Sequence, residues 1–231
     1  MKKPLGHRSY GSIGHLPSSR MGPGDHHITE GQARICTVKT RDEHDVVIVQ
    51  EKLDGSNVGI ARIGDRIIPL IRAGYMAISS PYLQHHLFHN WCLYHRLLWL
   101  DILDDGERLC REWLAQAHGT RYLLPSSDAF FAAFDLIRGH ERASYDDFSM
   151  SVADRVRVAP LIHRGAPICI DAAMCQLGTY GHYGALDPAE GLVYRVERDG
   201  AFDFLAKYVR PEKVDGRYFD QEIWNWKPKE E

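Results

Sequence analysis

The sequence predicts one α+β domain dominated by antiparallel sheet, and three observations predict it. Short β-branched or alternating runs recur along the chain, at 46–49, 58–63, 67–72, 130–137, 191–197 and 201–209. One stretch, 80–103, carries a long apolar stripe at helical spacing. No internal repeat, low-complexity segment or linker divides the 231 residues, a length that suits one large domain or two small ones.

The elements follow in order. Residues 1–33 are rich in Gly, His, Ser and Pro and read as an irregular arm, either a disordered terminus or a strap over a site. Within it, Arg20 and His26 are candidates to meet a phosphate. Residues 34–72 read as three or four strands. Val46-Val47-Ile48-Val49 is the apolar run of a buried strand. Asp54-Gly55 marks a tight turn into Val58–Ile63, and Ile63-Gly64-Asp65-Arg66 a hairpin. Pro69 in the middle of the next run marks an edge strand or a bulge. The helix over 80–103 starts after Ser80-Pro81 and carries His85, His86, His89 and His95. His85 and His89 have i, i+4 ligand spacing but no acidic partner, so they read as filler. Residues 107–118 are ambiguous: by propensity Glu107–Ala117 continues as helix. Phe130–Ile137 reads as a strand, Asp146–Val156 as a helix, Val158–His163 as a strand and Ile170–Leu177 as a helix. A Gly/Tyr/His-rich loop over 178–187 precedes a hairpin of 191–197 and 201–209 across Arg198-Asp199-Gly200.

Composition sets the class. Hydrophobic content of 44% and charged content of 26% are ordinary for a soluble protein. No apolar run reaches the roughly 18 residues of a membrane span, and the start, Met-Lys-Lys-Pro-Leu, lacks the apolar stretch of a signal peptide. Five scattered cysteines without a Cys-x-x-Cys pair point to reduced thiols and a cytoplasmic location. The balance of 31 acidic against 28 basic residues, −3, excludes a general nucleic-acid coat but leaves room for a local grip on phosphates. Basic residues cluster at Arg138/Arg142, at Arg155/Arg157/Arg164 and at Lys207/Arg210/Lys213, the middle group reading as a solvated face.

The chain is organised around Glu51-Lys52-Leu53-Asp54-Gly55-Ser56-Asn57, which puts a lysine at the end of a buried strand. Alone, this reads first as a hairpin-tip lysine in solvent. Further short motifs follow in order: Arg72-Ala73-Gly74, Arg111-Glu112-Trp113-Leu114, Phe134-Asp135-Leu136, Glu190-Gly191-Leu192-Val193-Tyr194-Arg195 and Leu205-Ala206-Lys207-Tyr208-Val209-Arg210. Together they resemble the motif series of the covalent lysyl-nucleotidyltransferases, and most closely the ATP-dependent RNA ligase family. Two departures stand out. The third motif reads Arg111-Glu112 where the family has Gly-Glu, and it asks for strand in a stretch of helical propensity. Val209 occupies the place of a second lysine, with Arg210 the candidate substitute.

The resemblance implies an ATP-grasp-like nucleotidyltransferase fold of antiparallel sheets flanked by helices. Residues 34–210 would be the catalytic core of a single domain over 1–231, with a short tail over 211–231 too small for an oligonucleotide-binding (OB) domain. It implies ATP and Mg²⁺, with Mn²⁺ as a substitute, and RNA ends as partners: a 5′-phosphate and a 3′-hydroxyl. No membrane is involved, and protein partners are left open. Lys52 would be the nucleophile, Lys207 the cation on the α-phosphate, and Glu190 the metal ligand. Glu112 would accept from the ribose, Phe134 stack on adenine, and Arg72 touch ribose or the incoming 5′-phosphate. Glu51, with the backbone of the Lys52-Leu53-Asp54-Gly55 turn, would read the base. The chemistry asks for a depressed lysine: at a reference pKa of about 10.4, only ~0.1% is neutral near pH 7.4, and a drop of ~3 units takes ~4 kcal/mol. Burial and neighbouring cations supply that. The alternatives are a DNA ligase or guanylyltransferase of the same superfamily, or a catalytically silent domain that binds nucleotide or RNA ends.

Overall fold

The computed structural model describes residues 2–213 and 219–226. The remainder of the tail expected over 211–231 lies outside the described residues. In chain order the elements are β1 (Gly14–His15), α1 (Glu30–Thr37), β2 (Asp45–Lys52), β3 (Ser56–Ile63), β4 (Arg66–Ile71), α2 (Leu83–Tyr94), α3 (Arg96–Ile102) and β5 (Glu107–Trp113). After these come β6 (Gln116–Ala117), β7 (Phe131–Arg138), β8 (Glu141–Arg142), α4 (Tyr145–Val152), β9 (Leu161–Gly165), α5 (Ile170–Leu177), β10 (Gly191–Arg198), β11 (Ala201–Val209) and β12 (Ile223–Trp224). The protein is a mixed α+β structure, and its two five-stranded sheets belong to two compact units.

The first unit comprises the described residues up to Ser12, then Ser56–Gln116 and Ser126–Val158. Its sheet has the order β4-β3-β5-β7-β8, antiparallel throughout. Alternate residues of these strands pack on the helices: Trp113 and Phe131 meet Phe88 and Trp91, with Trp91 and Phe131 ring centroids 4.4 Å apart. Arg111 is fully buried in this aromatic layer, its guanidinium 3.8 Å from the Phe131 ring centroid.

The second unit comprises Ile13–Gly55, Ala117–Pro125 and the described residues from Ala159 onward. Its sheet has the order β1-β11-β10-β2-β9. Val47 and Val49 of β2, Leu192, Tyr194 and Val196 of β10, and Ala206 and Tyr208 of β11 share one face. That face is covered by Ala33 and Cys36 of α1, Ala173 and Leu177 of α5, and Leu16. The period of two then puts the intervening residues on the opposite face.

Several elements differ from the sequence expectation. Residues 34–37 are not strand: they finish α1, which starts at a capping box in which Thr29 and Gln32 each satisfy the other's backbone N–H. The helix over 80–103 is two helices, because His95 (φ −91°, ψ 19°) leaves helical geometry between them. Glu107–Trp113 is strand and not helix, since pairing with β3 on one side and β7 on the other outweighs propensity. The strand expected over 158–163 begins later, at Leu161. Pro69 does lie in an edge strand, β4. The arm contains one short strand, β1, which pairs with β11 in parallel. His85 is the filler expected: it lies within hydrogen-bond distance of Ser56 and Ser80, and burial lowers its pKa to about 4.

Candidate active site

The turn after Lys52 is not a hairpin. β2 pairs with β10 and β9, whereas β3 pairs with β4 and β5 in the other sheet. The turn is therefore held by its own contacts. Asp54 Oδ2 accepts from the Gly119 backbone N–H at 2.8 Å and from the Thr120 hydroxyl at 3.2 Å, and the Asp54 N–H donates to the Tyr122 hydroxyl at 3.0 Å. Burial raises the Asp54 pKa, and Lys52, Lys213 and these donors oppose the rise. Lys213 donates to the Gly119 carbonyl and to Thr120 Oγ1, and burial lowers its pKa.

Lys52 is far from a solvent lysine. Its side chain is 17% exposed and its Nζ lies 2.5 Å from Glu190 Oε2, on a side chain only 3% exposed. The pairing follows from register: Gly191 stands opposite Lys52, so the residue before β10 arrives beside the end of β2. Val193 stands opposite both Gln50 and Lys207. Since Gln50 and Lys52 are two apart, Lys52 and Lys207 share the sheet face away from α1 and α5. Lys207 is buried, with its Nζ 3.5 Å from Asp25 Oδ1. The Arg210 N–H donates to the Glu190 carbonyl at 3.1 Å, while its guanidinium donates to the Gly178 carbonyl.

Glu51, one residue before Lys52, turns to the other face. Its Oε2 accepts from the His182 N–H at 2.7 Å, and burial pushes its pKa up to about 7. A Cβ built on Gly181, which has φ +64°, would collide with this carboxylate. Glycine is required there both for the left-handed backbone and for the close approach.

Three expected residues lie in the first unit. Glu112, half-buried on β5, stands opposite Asn57 and Ala132. Phe134 occupies a bulge: Cys110 pairs with Asp135 and Arg111 with Ala133, leaving Phe134 as the extra residue. The bulge breaks the alternation, so neighbours Phe134 and Asp135 both reach Tyr10, through an edge-on ring contact at 5.2 Å and a hydroxyl donation at 3.1 Å. Phe134 stays half-buried in a strand of mostly buried residues. Arg72 follows β4, is exposed, and donates to the Gly11 carbonyl at 3.1 Å.

The second unit thus brings together Lys52, Glu190 and Asp54, with Lys207 on the same sheet face as Lys52. Reading the sequence missed the residues that hold these in place. Thr120 and Tyr122 carry no local signal. Gly181 does, as one of the glycines in the 178–187 loop, and the Pro-containing turns of the arm foreshadow Asp25. Among the described residues no cluster of three or more His, Cys, Asp or Glu could cage a metal. A buried single carboxylate such as Glu190 fits the way Mg²⁺ is held, by one or two carboxylates together with waters and substrate phosphates.

Comparison with known proteins bears on the fold and the family. Among curated protein sequences the chain has no match. The fold is similar to solved structures of the Naegleria gruberi RNA ligase. A lysine-to-alanine variant of that enzyme with ATP and Mn matches at 14% identity and TM-score 0.54, covering 89% of this chain and 61% of that one. A lysine-to-methionine variant with AMP and Mn matches at 15% and 0.53, covering 91% and 62%. The same ligase with PPi matches at 16% and 0.51, covering 74% and 51%. The chain spans about half to three-fifths of the length of these ligases, and at such identity the likeness is one of fold. The RNA ligase family model matches residues 45–209, a span running from the first residue of β2 to the last of β11. On that match, the chain belongs to the RNA ligase family.

Proposed function

We propose that this chain is the nucleotidyltransferase of an ATP-dependent RNA ligase, with residues 34–210 as its catalytic core. The observation that carries the reading is the largely buried pair of Lys52 and Glu190 on a sheet whose same face carries Lys207. A lysine withdrawn from water, with a second lysine on the same sheet face across β10, suits attack on a phosphate better than a solvated role; the Glu190 carboxylate favours the ammonium form, which a cation held by Glu190 would offset.

Lys52 Nζ, 2.5 Å from Glu190 Oε2, sheds its proton to solvent, so that Glu190 stays an ionised ligand. The amine attacks the α-phosphorus of ATP, a P–N bond forms, the bond to the bridging oxygen breaks and pyrophosphate leaves. Lys207 offsets charge on the α-phosphate. A divalent cation, Mg²⁺ or Mn²⁺, would be held by Glu190 and would neutralise phosphate charge. The AMP then passes from Lys52 to an RNA 5′-phosphate, and a 3′-hydroxyl displaces it to close the strand. Phe134 offers a half-buried ring to adenine, Glu112 an acceptor to ribose, and Arg72 an exposed guanidinium to a phosphate. With Glu51 turned to the 178–187 loop, base contact falls to the backbone of the Lys52-to-Gly55 turn.

The test is a sealing assay on 5′-phosphorylated RNA and DNA strands of one sequence, with ATP or GTP as the only nucleotide. The expected result is joined RNA with ATP. Joining only with DNA, adduct only with GTP, or RNA binding without an adduct in nucleotide-free protein would each overturn the reading.

A further inference from the structure

We propose that Asp25, oriented by His15 and Ser19 of the same N-terminal strap, is a positioning residue that holds Lys207 for nucleotidyl transfer. The inference rests on the ligase reading above and on the role it gives Lys207. The strap, residues 14–28, precedes the span matched by the family model.

The strap is laid along the strand that carries the lysine. β1 runs parallel to β11 with His15 opposite Lys207. The Leu16 N–H donates to the Lys207 carbonyl at 2.8 Å, and the Arg20 N–H to the Val209 carbonyl at 2.9 Å. Two turns then fold the segment back on itself. In Leu16-Pro17-Ser18-Ser19 the Ser19 N–H donates to the Leu16 carbonyl at 3.3 Å and Ser18 has φ +64°. In Gly22-Pro23-Gly24-Asp25 the Asp25 N–H donates to the Gly22 carbonyl at 3.3 Å and Gly24 has φ +81°. Proline second and a left-handed residue third is the pattern of a type II turn. Ser18 takes a conformation that non-glycine residues seldom adopt, and such strain persists where the surroundings over-determine it.

Each turn delivers one side chain to His15. The first sets Ser19 Oγ 2.6 Å from His15 Nδ1, where it also accepts from the Val209 N–H at 2.9 Å. The second sets Asp25 Oδ2 3.1 Å from His15 Nε2, while the same oxygen accepts from the Gly22 N–H at 2.8 Å. The other oxygen, Oδ1, faces Lys207 Nζ at 3.5 Å. An ionised carboxylate only accepts, which assigns the ring proton to Nε2, facing Asp25, and leaves Nδ1 to accept from the Ser19 hydroxyl. The series Ser19, His15, Asp25 has the composition of a hydrolytic triad but not its accessibility. His15 is fully buried, Ser19 is 9% exposed, and the serine oxygen is engaged by the strand backbone.

A lysine is a point charge on a flexible four-carbon stem. A carboxylate fixed by a turn, a backbone N–H and a buried imidazole narrows where that charge sits, and small displacements of a catalytic cation are costly in rate.

The test measures single-turnover formation of the covalent AMP adduct by the full chain, with thermal unfolding measured in parallel, for wild type, D25N, D25E and K207A. For D25N the rate constant at saturating ATP is expected to fall between about 10- and 100-fold. Its half-saturating ATP concentration and unfolding temperature stay near wild type, and D25E recovers part of the rate. D25N reacting at the wild-type rate beside a slow K207A would overturn this inference alone. So would a D25N that loses adduct amplitude with its rate constant unchanged, the mark of a merely structural contact. K207A reacting at the wild-type rate would remove the role given to Lys207, and this inference with it.

Discussion

Replacing Glu51 with Gln is expected to stabilise the protein by an amount that grows with pH. Glu51 is 2% exposed, and burial raises its pKa from 4.5 to about 7. Between those values the unfolded chain has lost the proton and the folded chain keeps it, so stability falls as pH rises through the window. The shift, 7 minus 4.5, corresponds to a cost of about 3 kcal/mol at pH 8, where both states are ionised, and about 1 kcal/mol at pH 5. Glutamine has no charge to desolvate, and its carbonyl can still accept from the His182 N–H. Its NH₂ would replace Glu51 Oε1, which has no hydrogen-bond partner among the described residues; that mismatch is the same at every pH and cancels. Urea unfolding of E51Q and wild type at pH 5 and pH 8 should therefore show the gap moving in favour of E51Q by about 2 kcal/mol. A gap that stays constant across this range, or moves the other way, would refute the claim that burial holds this carboxyl protonated.

Two further outcomes follow from the same geometry. G181A should lower stability by at least about 1 kcal/mol from its left-handed backbone alone. The loss should be smaller in an E51A background, where the collision is gone, as a thermal-unfolding double-mutant cycle will read. F134A should raise the ATP concentration for half-maximal adduct formation by roughly tenfold or more, the scale of base–aromatic stacking, while F134Y stays close to wild type. Equal effects of Ala and Tyr would rule out a stacking role.

The sequence showed most clearly what depends on short-range pattern. The apolar run at 46–49, the proline of β4 and the hairpin of β10 and β11 are each local statements, and each matches the structure. Glu107–Trp113 was illegible because its Glu, Arg and Leu favour helix, while its strand geometry comes from β3 and β7, distant in sequence. The start of α1 was written in the Thr29–Gln32 capping box and overlooked among the polar residues of the arm. For the proposed site, ordered motifs pointed to Lys52, Glu190 and Lys207, but register decides which residues share a face. The alternation along β2 that puts Lys52 on the face of Lys207 turns Glu51 to the other face. The clamp on Asp54 joins it to Gly119 and Thr120, some 65 residues downstream, and no local pattern announces such a contact.

The central claim is that one half-buried amine, that of Lys52, becomes the carrier of AMP. Incubating nucleotide-free protein with ATP and Mg²⁺, then measuring intact mass and mapping peptides, tests it most directly. A gain of one AMP, acid-labile and located on Lys52, with none in K52A, is the predicted result. An unmodified Lys52, or AMP on another residue with K52A still reactive, would contradict the account.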